Sequence, residues 1–277
     1  MNIWKRICIG ATAACVGAFA AQAHEMFLRP TEHFVAPDTE TTIALFNGTF
    51  AASENPIVRD RMNDVSVVAN GITTHPDASL WKDDEKTSYL TIKTGAAGTY
   101  AIGVSTKAKM IELSADDFEA YLLHDGIEDT LKARVDANVP RDPVKERYSK
   151  HVRTVLQVGD TQSGDFGAAL GYPVEILLQQ NPSSLKPGDT LSFKVLYKGE
   201  PLANQLVYSS YEGHHGHDDN GGHTHAFKMR TDAEGMASFT VDKASNWYVT
   251  LIHMEKLEGD AEADYESNWA TVTFAVR

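Results

Sequence analysis

The chain has almost no thiol chemistry to offer. Among 277 residues only Cys8 and Cys15 are cysteine, and both fall within the first 23. That stretch has the anatomy of a cleavable signal peptide over residues 1–23: Lys5 and Arg6, an apolar run from Ile7 to Ala20, then Ala21-Gln22-Ala23. Cleavage after Ala23 starts the mature chain at His24 with no thiol at all. Disulfides, Cys metal ligands and cysteine nucleophiles are then excluded. Long hydrophobic runs are also lacking. The leader's run is shorter than the ~20 residues that span a bilayer, and no later segment approaches that length, so the expected mature chain is exported to the periplasm without membrane insertion.

Positive charge is scarce as well. Lys and Arg number 25 against 38 Asp and Glu, a formal charge of −13, which loss of Lys5 and Arg6 deepens to −15. Such a balance disfavours nucleic acid and anionic membranes as partners and favours cations. Local catalytic signatures are missing: there is no Gly-x-Ser-x-Gly, no His-Glu-x-x-His and no phosphate-cradling glycine loop. The expectation is a binding protein and not an enzyme.

What the sequence does have is β-structure. Short runs rich in Val, Ile, Thr, Phe and Tyr recur at His24–Leu28, Thr41–Phe46, Asp64–Ala69, Thr87–Lys93 and Thr99–Ser105, separated by turn residues. They define an N-terminal β-domain over residues 24–113. Ser114 with Asp117 three positions on predicts a capped helix through Phe118, Tyr121 and Leu122 that ends at Gly126. A second helix near Ile127 and a third from Pro143 toward His151 would make residues 114–158 a helical connector. Seven strands then follow within residues 171–277, from Val174–Gln179 to Trp269–Val276, the number expected of an Ig-like sandwich. The predicted fold is mainly β: two β-sandwich domains with a short helical insert between them.

Chemistry concentrates in the thirteen residues Gly213–His225. They hold five of the eleven histidines, namely His214, His215, His217, His223 and His225, spaced by glycines. Imidazole suits zinc, nickel and copper, and His-His and His-x-His spacings let one loop offer several nitrogens to one ion. The alternative is a hydrophilic hairpin that binds metal only incidentally. A terminus freed at His24 adds an α-amine and a ring from one residue, the start of a histidine brace. Its candidate partners are His33 and His253, the latter sharing a strand face with Trp247, Val249 and Leu251 and so placed at the rim of a core. Met26 and Met254 could add thioethers, though Met in strands is mostly core filler. The acidic run Glu255, Glu258, Asp260, Glu262, Asp264 and Glu266 reads as a solvated hairpin loop.

Several segments together resemble a known family. They include His24-Glu25-Met26-Phe27-Leu28-Arg29-Pro30 behind the leader, Glu146-Arg147-Tyr148-Ser149-Lys150-His151, Pro187-Gly188-Asp189, Thr231-Asp232-Ala233-Glu234-Gly235 and Tyr265-Glu266-Ser267-Asn268-Trp269-Ala270. The chain is similar throughout its mature length to the domain of unknown function 4198 family, exported bacterial proteins grouped with the periplasmic component of nickel/cobalt uptake systems. The resemblance implies an N-terminal β-domain, an Ig-like or carboxypeptidase-regulatory-like second domain, and His24 plus the His-rich loop as ligands. The expected function is periplasmic binding or delivery of a divalent transition metal, nickel or cobalt first and copper or zinc next. The metal ligands would be His24, His214, His215, His217, His223, His225 and His253, and the partner a membrane metal transporter or outer-membrane receptor. The alternatives are a structural or interaction β-sandwich module with an incidental His-loop, and a copper mono-oxygenase built on a His24 brace.

Overall fold

The computed structural model describes residues 24–214, 216–217 and 223–277, with the side chains of 215–224 left aside. The signal peptide expected over residues 1–23 therefore lies outside the described residues. The alternating strands of the first half form a four-stranded sheet in the order Trp81–Asp83, Ser88–Lys93, Glu40–Gly48, Glu25–Pro30. It packs on Met62–Ala69, Gly98–Thr106 and Val144–Val158 through Leu28, Ile43, Leu45, Leu90, Ile102 and Leu156, all buried.

In the second half, Val174–Leu178, Thr190–Tyr197 and Met236–Thr240 make one sheet, and Phe227–Arg230, Leu206–Tyr211, Ser245–Lys256 and Tyr265–Val276 the facing one. This is the strand division of an Ig-like sandwich. Its core gathers alternate residues of both sheets, including Val174, Ile176, Leu191, Phe193, Trp247, Val249, Leu251, Val272 and Phe274. The fold is thus mainly β with two sandwiches, as the strand count predicts.

The third helix expected from Pro143 does not form. Residues Val144–Val158 are a fifteen-residue strand, so the connector is helical only at Ala115–His124 and Glu128–Asp136. From Lys150 to Val158 every residue is buried, on both faces of the strand, which an amphipathic surface helix cannot achieve. The β-branched Val152, Thr154, Val155 and Val158 suit a pleated surface covered on both sides. This strand also links the two sandwiches. It pairs antiparallel with Gly98–Thr106 of the first half and parallel with Tyr265–Val276 of the second, so one ten-stranded sheet runs through both sandwiches.

The two helices close the junction. Ser114 caps the first by accepting from the Asp117 amide, and Gly126 ends it with φ +68°. Phe118, Tyr121 and Leu122 pack on Val144, Tyr265 and Trp269, with Ile252 and Met254 at the margin. Among the described residues no helix is long and apolar enough to cross a membrane.

A shared sheet predicts shared stability. Leu156→Ala in the first core and Leu191→Ala in the second should each cost about 2–5 kcal/mol. In urea unfolding both should shift one common transition; two separable transitions, each moved by only one variant, would contradict the shared sheet.

Candidate functional site

The His-rich loop joins Leu206–Tyr211 to Phe227–Arg230, strands held in antiparallel register with Ser209 opposite Phe227. Within it Gly216–His217 pairs antiparallel with His223–Thr224, so His217 stands directly opposite His223. His215 and the side chains of His217 and His223 lie outside what is described.

The loop's base is better defined. His214 directs Nδ1 toward the Tyr211 hydroxyl at 3.5 Å, and its Nε2 is buried without a hydrogen-bond partner among the described residues. His225 has its Nδ1 3.0 Å from the Tyr248 hydroxyl and its ring 4.8 Å from that of Tyr208. Burial pushes the pKa of His225 down to about 4, and the charge of nearby His214 acts in the same direction. A neutral imidazole at this position keeps a lone pair for a cation at neutral pH.

His225 also lines a cleft of about 310 Å³ with Glu25, Asp125, Tyr208, Thr250 and Met254. The Thr250 hydroxyl donates to Glu25 at 3.1 Å, yet burial, reinforced by Asp125, raises the Glu25 pKa to about 7. Burial also raises the Asp125 carboxyl, against the opposing pull of His124, whose Nδ1 is 3.0 Å away. Behind them Lys150 lies with Nζ 4.9 Å from the centre of the Trp269 ring and donates to the His24 carbonyl oxygen. Burial lowers its pKa to about 8. Glu146 accepts from Tyr121 at 3.1 Å and from Ser267, and burial raises it to about 7.

The structure separates residues that the sequence offered as one site. Thr250 faces Glu25, so by strand alternation His253 projects from the opposite face of Ser245–Lys256. Its ring packs against Tyr197 with centroids 4.4 Å apart, at the rim of the second core. Gln205 fixes its tautomer: the amide nitrogen donates to the Leu206 and Ile252 carbonyls, leaving the amide oxygen to accept from His253 Nδ1 at 2.9 Å. Nε2 is left with the lone pair, 3.7 Å from Glu255.

His24, on the other side, faces Glu54, so the His24–His253 brace is not assembled. His33 is buried, with Nδ1 donating to the Val155 carbonyl oxygen at 2.8 Å. Met26 is core filler, buried beside Leu28 and Ile43. The acidic hairpin is answered by its own cation: Arg147 reaches Asp260 at 3.0 Å, Glu262 at 3.6 Å and Glu266 at 3.8 Å. Among the described residues no three His, Asp or Glu converge with the spacing of a closed metal site.

Residues 21–255 match the model of the domain of unknown function DUF4198. The chain belongs to this family. No curated protein matches it. Among solved structures it is similar to an intimin domain structure, at 11% identity and TM-score 0.20 over 90% of this chain and 97% of that one. It is also similar to the Yersinia pseudotuberculosis adhesin InvE, at 13% identity and TM-score 0.21 over 89% and 58%. Murine CEACAM1b follows at 8% identity and TM-score 0.21 over 91% and 99%. Likenesses this distant carry no functional argument for this DUF4198 chain.

The buried carboxylates give a prediction with a definite sign. Ionising Glu146 costs the folded state more than the unfolded chain, so its stability contribution is lost as pH rises from 4.5 through about 7. Glu146→Gln should therefore gain stability relative to the parent across that window and hold a constant difference above it. Denaturation midpoints of both proteins at pH 5 and pH 8 measure this; an equal difference at the two pH values would show that Glu146 ionises without penalty.

Proposed function

We propose that this protein is a periplasmic carrier that binds a divalent transition metal as cargo, nickel or cobalt first and copper or zinc next. The observation that carries the reading is the loop's folding. A hairpin register sets His217 against His223, and His214 and His225 stand together at its base. The donor set fits the cargo: imidazole nitrogens without thiolate favour borderline divalent ions over Cu(I). The Nε2 of half-buried His214 has no hydrogen-bond partner among the described residues, a position a metal ion would satisfy.

Capture then follows from ordinary ligand chemistry. The net negative charge concentrates cations around the protein, and the neutral His225 imidazole binds without first losing a proton. Glycines at 213, 216, 221 and 222 let the chain wrap the ion. No bond is made or broken in the cargo, and the ion passes on to a membrane transporter or outer-membrane receptor.

Calorimetric titration of the chain with one Ala added before His24, which leaves the loop as the site under test, against Ni(II), Co(II), Cu(II) and Zn(II) tests the proposal. At least one ion should bind per chain with sub-millimolar affinity. Replacing His214, His215, His217, His223 and His225 by Ser should weaken that binding on the order of tenfold or more, about 1.4 kcal/mol or above. Unchanged binding would instead leave the loop as an incidental ornament on a structural β-sandwich module.

A further inference from the structure

His24 sits immediately before the first strand, and two residues distant in sequence fix it. Lys150, on the long central strand, donates from Nζ to the His24 carbonyl oxygen and lies 3.4 Å from Asn47 Oδ1. The backbone of His24 is thereby tied to the sheet that both sandwiches share. On the ring side, Glu54 Oε2 lies 3.2 Å from Nε2. A carboxylate there draws the imidazole proton onto Nε2 and leaves the lone pair on Nδ1.

The choice of nitrogen matters. Nδ1 is the ring nitrogen near the backbone, and only it can close a chelate ring on one ion with the α-amine of the same residue. Nε2 points away from that amine. The His24 carbonyl oxygen, occupied by Lys150, is removed from competition for the ion. Asp125 is within electrostatic reach of His24, and Glu25 is its chain neighbour, so two half-buried carboxyl groups lie beside His24. His253 does not take part, since it projects from the other face of its strand.

We propose that Glu54 and Lys150 are positioning residues that hold His24 with Nδ1 and the α-amine available as a chelate, so that a terminus freed at His24 binds one divalent ion independently of the loop. This rests on the reading of the protein as an exported transition-metal carrier, but it assigns a second and separately testable site. In that arrangement the loop gathers ions with several interchangeable imidazoles, and the terminus retains one in a fixed geometry.

The test uses the full mature chain with its five loop histidines replaced by Ser, so that failure of the loop reading cannot be confused with failure of this one. Cu(II) is the probe, followed by electron paramagnetic resonance and visible absorption. Protein beginning at His24 should bind one Cu(II) with an amine-plus-imidazole signature. Adding a single Ala before His24 should abolish that signature. Glu54→Ala should weaken binding by about tenfold, in the range seen when an outer-shell partner is lost. Glu54→Gln, which keeps an acceptor oxygen facing Nε2, should restore it. Thermal unfolding of each variant confirms that the fold survives, which the exposed position of Glu54 favours. Equal copper binding with and without the added Ala overturns the chelate, and an unaltered spectrum and affinity in Glu54→Ala overturns the positioning role.

Discussion

The structure depends on one strand pairing. Glu146–Thr154 runs parallel to Tyr265–Thr273, and this ladder joins two otherwise ordinary sandwiches into a single sheet. Parallel pairing requires both faces to be covered. One face is covered by the second sandwich's core; the other is covered by the N-terminal sheet and, where that sheet ends, by the helix pair. The helices are thus a consequence of the ladder and not a spacer between domains. They seal the stretch of sheet around Trp269 and Tyr265 that neither sandwich reaches.

That sealing also explains the buried charges. The same strand carries Glu146 and Lys150 on one face, under the helices and the N-terminal segment. Neither can reach bulk water, so each is held by close partners: Tyr121 and Ser267 for Glu146, the His24 carbonyl and the Trp269 ring for Lys150. Glu25 and Asp125 join them from the first strand and the end of the first helix. Burying so many ionisable groups is costly, and a fold organised only for stability would do better with apolar ones. Their position beside His24 and along the cleft that includes His225 gives the cost a function in cation binding, the reading proposed above.

Most of the fold was legible in the sequence because most strands here alternate. Thr190–Tyr197 and Glu40–Gly48 bury every second residue, and the Ser114 cap and Gly126 stop announce the first helix. The long central strand was not legible. Lys145, Glu146, Arg147, Lys150 and Arg153 interrupt its apolar residues, and the burial of Glu146, Lys150 and Arg153 depends on partners contributed by other segments. The His-rich loop announces itself by composition alone. By contrast, Glu54 and Gln205 carry no local signal, since each matters through a histidine far along the chain. The separation of His24 from His253 was hidden for a similar reason: alternation places His253 at a core rim, but only the contact between Thr250 and Glu25 shows which face of its strand meets the His24 segment.

The central claim is that imidazole nitrogens of the loop bind a transition metal. X-ray absorption at the nickel edge, on mature protein extended by one Ala before His24 and loaded with one equivalent of Ni(II), reads the donor atoms of the loop directly. The account predicts a first shell containing nitrogen with the multiple-scattering pattern of imidazole, greatly diminished when the five loop histidines are replaced by Ser. A first shell of oxygen alone, unaltered by those substitutions, would contradict it.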